Sequence, residues 1–141
     1  MFEPLTSSGL AAAKNALAAA ASQAPDVGCA FLFDSYGGAI SRVAPSASAF
    51  VHREVIAGIQ MTATWADTSA AGAASSWLAS AAQAMAPYTS GAYQNYVDPT
   101  LSEFEQAYYG TNLPRLIDVK TKVDPDNFFS FPQSIPIKEQ R

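Results

Sequence analysis

Tyr93 and Asn95 stand one residue apart in the stretch Gly91-Ala92-Tyr93-Gln94-Asn95-Tyr96-Val97-Asp98. In an extended segment alternate side chains share a face, so this phenol and primary amide should point the same way. Such a pair can move a proton and grip a planar ligand. A second polar set lies on Gln60, Thr62 and Thr64, which alternate with Ile59, Met61, Ala63 and Trp65. That pattern predicts a half-buried strand with a short, uncharged polar face. By residue type alone, both sets also read as ordinary solvated or hydrogen-bonded sheet faces.

Other chemistries find little footing. The chain has one histidine, His52, and one cysteine, Cys29, with its acidic residues dispersed, so no metal-ligand spacing appears. A G-x-S-x-G nucleophile elbow, a phosphate loop and a dinucleotide glycine fingerprint are all missing. His52 sits beside Arg53 at the start of a strand pattern, where a structural role is the ordinary one. Cys29 lies in the run Cys29-Ala30-Phe31-Leu32-Phe33 and reads as a small buried hydrophobe. With 14% charged residues, a net charge of −4, and cations scattered apart from Lys120 with Lys122 and the terminal Lys138 with Arg141, no basic stripe invites nucleic acid. The Ala-rich stretch Leu10 to Ala21 is short and interrupted by Lys14 and Asn15, so no membrane span is expected.

The elements that must hold these side chains follow from periodicity and caps. An apolar fraction of 49% in 141 residues is enough to fill a core. Thr6, Ser7 and Ser8 offer caps for a helix from about Gly9 to Ser22, with Leu10, Ala13, Leu17, Ala20 and Ala21 on its apolar side. A strand over Gly28 to Asp34 leads to the turn Tyr36-Gly37-Gly38 and a return strand over Ala39 to Val43. Ala49 to Arg53 reads as extended, and Val55 to Trp65 as the clearest strand. Asp67 or Thr68 opens a helix to about Ala86 whose apolar positions include Ala74, Trp77, Ala81 and Met85. Ser102-Glu103-Phe104-Glu105 forms a capping-box pattern for a short helix ended by Gly110. Asn112 caps a final helix with Pro114 in its first turn. Asp124-Pro125-Asp126-Asn127 is a turn, and Phe128, Phe129 and Phe131 form an aromatic anchor. The order predicts an α+β fold with a largely antiparallel sheet covered by helices on one face.

Five short patterns occur in one order: Tyr36-Gly37-Gly38; His52-Arg53; Gln60 with Trp65; Tyr93-x-Asn95-Tyr96; and Tyr108-Tyr109-Gly110 followed by Asn112, Leu116 and Asp124-Pro125-x-Asn127-x-Phe129. Each is weak alone, but in sequence they cover most of the chain. Together they resemble the C-terminal region of the berberine-bridge-enzyme-like flavin oxidases, and Val97-Asp98-Pro99-Thr100-Leu101 looks closest to members acting on sugars and other alcohols. The resemblance implies a vanillyl-alcohol-oxidase-type flavoprotein. Residues 1–90 would then be the latter part of a substrate-binding domain. Residues 91–141, a C-terminal helical tail, would return to and complete the FAD-binding domain.

The implied chemistry is hydride transfer from a carbon bearing a hydroxyl or amine to flavin N5. Tyr93 matches the family's catalytic tyrosine. A free phenol titrates at about 10, so a phenolic base needs donors that stabilise its charged form. Gln60 matches a position where the family places Gln or Glu facing the ring; Gln cannot act as a base and would orient substrate. Asn95 matches a residue near the flavin, and its amide can serve the pyrimidine edge. Tyr36 would line the substrate cavity, or else pack on the sheet as a turn residue.

The family attaches FAD through an upstream histidine in a Gly-Gly-His setting, often with a second link to cysteine. Neither motif occurs here, and the contexts of His52 and Cys29 do not match. The expected partners are therefore a small alcohol or carbohydrate substrate and a missing N-terminal FAD-binding portion. The isolated chain should be inactive and bind FAD weakly or not at all. With the family's N-terminus expected upstream, secreted and cytoplasmic settings both stay open. The alternative is a non-catalytic α+β remnant or interaction module that does not bind flavin.

Overall fold

Thr6 starts the first helix. Its hydroxyl accepts the Gly9 N–H at 3.1 Å from an extended backbone, a cap worth about 1 kcal/mol. The helix, α1, spans Ser7–Gln23. In the computed structural model, which describes residues 1 and 3–138, the chain divides into two compact units. Unit 1 comprises Met1–Gly37 and Val55–Ser90; unit 2 comprises Gly38–Glu54 and Gly91–Arg141. Arg141, read above as a terminal cation, lies outside the described residues.

Unit 1 pairs α1 and α2 (Ala71–Met85) with a two-stranded antiparallel sheet, β1 (Val27–Ser35) and β2 (Ala57–Trp65). The register runs from Val27 opposite Trp65 to Ser35 opposite Ala57. Val27, Cys29, Phe31, Met61 and Ala63 turn toward the helices and pack on Ala20, Ala24, Trp77 and Ala81. Burial raises the Cys29 thiol, which suits a packing residue rather than a reactive thiolate. Trp77 is 2% exposed, meets Phe31 edge-on at 5.9 Å, and donates its indole N–H to the Ala16 carbonyl at 2.8 Å. That bond explains a departure from the expected helix face. The buried side of α1 carries Gly9, Ala13 and Ala20, whereas Leu10 and Leu17 are exposed. Only small side chains let a buried indole reach the helix backbone.

The α+β class read from the sequence holds, but the sheet is smaller than expected. Residues 39–43 form a turn and 49–53 are irregular. The five-residue return strand loses to β2, which offers β1 nine cross-strand pairs. Tyr36 closes the end of the ribbon by donating its N–H to the Ile56 carbonyl at 2.8 Å.

Unit 2 contains α3 (Phe104–Tyr109), a 3-10 turn at Gly110–Asn112, α4 (Leu113–Val123) and a 3-10 turn at Pro45–Ala47. The capping box does not form: Glu103 precedes α3 without a side-chain cap bond. The chain entering α3 is held from downstream instead. Gln133 Nε2 donates to the Asp98 and Leu101 carbonyls at 2.8 and 3.2 Å, and its Oε1 accepts from the Tyr108 hydroxyl at 3.1 Å. The Asp98 N–H completes the set by donating to that hydroxyl at 2.9 Å. After α4, Asp124 accepts the Phe128 and Phe129 N–H groups at 2.8 and 3.1 Å and pairs with Lys120. The turn places Asn127 at φ 51°, a conformation asparagine tolerates. Phe128 and Phe129 meet edge-on at 5.0 Å but are 81% and 74% exposed, with Phe131 also exposed. They do not anchor a core in this chain.

Candidate active site

The Tyr93–Asn95 pair of unit 2 rests on a loop that is itself fastened to α4. Asn112, expected to cap that helix, makes no cap bond. Its buried amide instead donates to the Pro45 and Ser48 carbonyls at 2.8 and 3.0 Å, and Arg115 Nη1 donates to Ser46 O at 3.1 Å. Arg53 continues the clamp, donating to Ser48 Oγ at 2.8 Å and to Phe50 O at 3.3 Å. Its guanidinium lies 4.8 Å from the centre of the Phe50 ring, within the range of a cation–π contact.

The loop so held meets residues 91–96. Gly91 adopts φ +67°, and a Cβ there would stand 3.1 Å from His52 Cε1. The Ala92 N–H donates to Ala107 O at 2.9 Å. The predicted extended segment is not a strand. The Tyr96 N–H donates to Tyr93 O at 2.9 Å, which closes a turn. Phenol and amide are still brought together, because Asn95 Nδ2 donates to Tyr93 Oη at 2.9 Å. The reason differs from the one inferred: a turn, not strand alternation, makes the i and i+2 side chains meet. The Tyr93 ring is half-buried between Tyr96, edge-on at 5.1 Å, and Phe50, edge-on at 6.0 Å, whereas Asn95 is exposed.

Burial holds the His52 imidazole below its ordinary range, against backbone hydrogen bonding at Ala92 and Tyr108 that favours the charged form. Its Nε2 is buried without a hydrogen-bond partner. This histidine is neutral near pH 7 and touches the Tyr93 segment through packing.

In unit 1, Gln60 sits opposite Leu32 on the face of β2 turned away from α1 and α2, with Thr62 and Thr64 on the same face. Gln60 is half-buried. Tyr36 reaches that face as well: its hydroxyl lies 3.4 Å from where a Cβ on Gly58 would stand. The missing side chain at Gly58, two residues before Gln60, leaves room for the phenol. Unit 1 therefore gathers Tyr36 with Gln60, and unit 2 gathers Tyr93 with Asn95. Phe50 and Gly91 were missed as packing partners of the pair. The aromatic before His52-Arg53 and the glycine two residues before Tyr93 were the available signals.

Asn95 uses one of its N–H groups on Tyr93, leaving a second N–H and a carbonyl. A donor and an acceptor side by side suit the pyrimidine edge of a flavin. Among the described residues no cluster of three His, Cys, Asp or Glu could hold a metal ion, and no helix is long and apolar enough to cross a membrane.

Comparison with known proteins points to one family. Residues 92–136 match the family described as berberine and berberine like. The FAD-linked oxidoreductase YvdP of Bacillus subtilis (strain 168) is 41% identical over 75% of this chain and 24% of its own length. The solved structure of Physcomitrella patens BBE-like 1 is 38% identical, with a TM-score of 0.82 over 96% of this chain and 28% of that one. Phl p 4, a grass pollen allergen with glucose dehydrogenase activity, is 33% identical, with a TM-score of 0.69 over 78% of this chain and 27% of its own. The chain spans about a quarter of the length of the curated relatives it matches. Its ordered motifs, its fold and these matches together make it a member of the berberine bridge enzyme-like family of FAD-linked oxidoreductases.

Proposed function

We propose that this chain serves an FAD-dependent oxidoreductase that oxidises an alcohol, sugar hydroxyls included, with the carbinol hydride passing to flavin N5. FAD, when bound, supplies the two-electron acceptor. Tyr93 Oη, in its deprotonated form, takes the proton that the substrate hydroxyl loses as its carbon–hydrogen bond breaks. Asn95 holds that oxygen by an N–H donated at 2.9 Å, a bond that strengthens when the acceptor carries charge. Its remaining N–H and carbonyl would hold the pyrimidine edge of a bound flavin. Gln60 has no proton to accept and orients the substrate by hydrogen bonding. Tyr36 shapes the substrate end of the same sheet face. Residues 1–90 contribute to the substrate-binding domain and 91–141 complete the FAD-binding domain. A sugar substrate draws support from the glucose dehydrogenase activity in the name of Phl p 4.

The amide-to-phenol bond carries this reading. In the complete enzyme Tyr93→Phe lowers kcat by about 10²- to 10⁴-fold, the usual range for losing a general base, and leaves flavin content unchanged. Turnover within a few-fold of the parent would remove Tyr93 from the chemistry. Fluorescence polarisation with the isolated 141-residue chain should show weak or no FAD binding; tight stoichiometric binding contradicts the division of labour.

A further inference from the structure

Phe50 and His52 take no part in the chemistry proposed above, yet both lie against the segment that carries Tyr93. The Asn95 bond ties the phenol oxygen only to an exposed amide on the same turn. Something else must set the ring relative to the rest of unit 2. Phe50 meets Tyr93 at an interplanar angle of 85° and His52 at 76°. His52 fills the space that a side chain at position 91 would need, and Gly91 is two residues before Tyr93. Phe50 sets the ring and His52 sets the backbone that bears it. Both come from the loop that Asn112 and Arg115 fasten to α4.

We infer that Phe50 and His52 are positioning residues for Tyr93, fixing the ring whose oxygen accepts the substrate proton. This inference rests on the assignment of Tyr93 above. The test is nuclear magnetic resonance on the 141-residue chain with labelled tyrosine, phenylalanine and side-chain amides. It reads the Phe50–Tyr93 ring contact and the Asn95 amide resonances. Gln133 serves as control in the same unit, because its amide is bonded to the Asp98 and Leu101 carbonyls.

Phe50→Leu is expected to move the Asn95 amide protons toward free-amide positions and to average the Tyr93 ring signals, with Gln133 unchanged. Phe50→Tyr, which keeps an edge-on ring, restores both. His52→Leu displaces the Tyr93 backbone resonances. Parent-like Tyr93 and Asn95 signals in both Phe50→Leu and His52→Leu overturn the inference. Should Phe50→Leu also erase the Gln133 signal, the size-conserving His52→Phe decides: a displaced Tyr93 beside an intact Gln133 supports the inference, and an unmoved Tyr93 overturns it. These readouts are independent of turnover. A fully active Tyr93→Phe enzyme would sink the base assignment, whereas unmoved resonances would sink the positioning role.

Discussion

The two units of this chain are held together by opposite means. Among the described residues, the buried apolar side chains belong to unit 1 except for Tyr108, and the buried polar ones, Asn112, Asp124 and Gln133, all belong to unit 2. Unit 1 is alanine packed around one indole. Unit 2 is loop backbone satisfied by side-chain amides and a carboxylate. Apolar packing is non-directional and tolerates adjustment. A buried amide bonded to two carbonyls fixes those groups to within a hydrogen bond's geometry. The unit built the second way carries the Tyr93–Asn95 pair, and under the role proposed for Tyr93 the placement of one oxygen matters more than buried area.

The largest effect should come from the indole. Trp77→Ala removes the fully buried indole that packs on Ala20, Ala24 and Ala81 and takes away the N–H donated to the Ala16 carbonyl. A buried Trp→Ala change costs about 3–5 kcal/mol. Urea unfolding followed by tryptophan fluorescence measures it. A loss under 1 kcal/mol would mean that the alanines alone hold unit 1, and the contrast would fail on that side.

Asn112→Leu asks the matching question of unit 2. It removes the donor to the Pro45 and Ser48 carbonyls, and each buried group left unpaired costs about 1–3 kcal/mol. Near-ultraviolet dichroism of the tyrosines during urea unfolding reads the loss. The 45–53 loop should loosen before unit 2 unfolds, which would appear as early broadening of Tyr93. A neutral substitution would show that the polar bonds merely decorate a unit held by something else.

Legibility in the sequence divides along the same line. The helices and strands of unit 1 were readable because alternation around Gln60 and helical spacing around Trp77 are local signals. The face of α1 was not, since leucines outrank alanines on any hydrophobicity scale. Only the tertiary bond from Trp77 to Ala16 selects the small side chains. In unit 2 the local rules misled. Ser102 and Asn112 have the right types to cap helices, but neither α3 nor α4 has a side-chain cap bond, and Asn112 is spent on a loop 64 to 67 residues earlier. Gln133 carries no local signal at all. Tyr93 and Asn95 were found by type and order, although the backbone that joins them is a turn.

Acid probes unit 2 with the smallest expected change and without touching the packing. In unit 2, His52 is held below its ordinary value by burial, so the unfolded chain binds that proton more readily. Stability therefore falls as pH drops below about 6.5 and levels off once the folded imidazole is also protonated. Asp124 is held below the carboxylate range by Lys120 and by the Phe128 and Phe129 amides. Its contribution is present above about pH 4 and is lost as pH falls through the lowered value. In unit 1 the shifted groups are the exposed Asp67, bonded to Ser69, and the Met1 ammonium, which burial holds below its ordinary value. Urea midpoints between pH 7 and 5 should thus decline when read by the tyrosines of unit 2. His52→Gln should lower the starting stability and flatten that decline, because the titrating group is gone while an amide remains. A decline that survives the substitution would place the acid-sensitive group elsewhere and remove His52 from the account of how the Tyr93 segment is held.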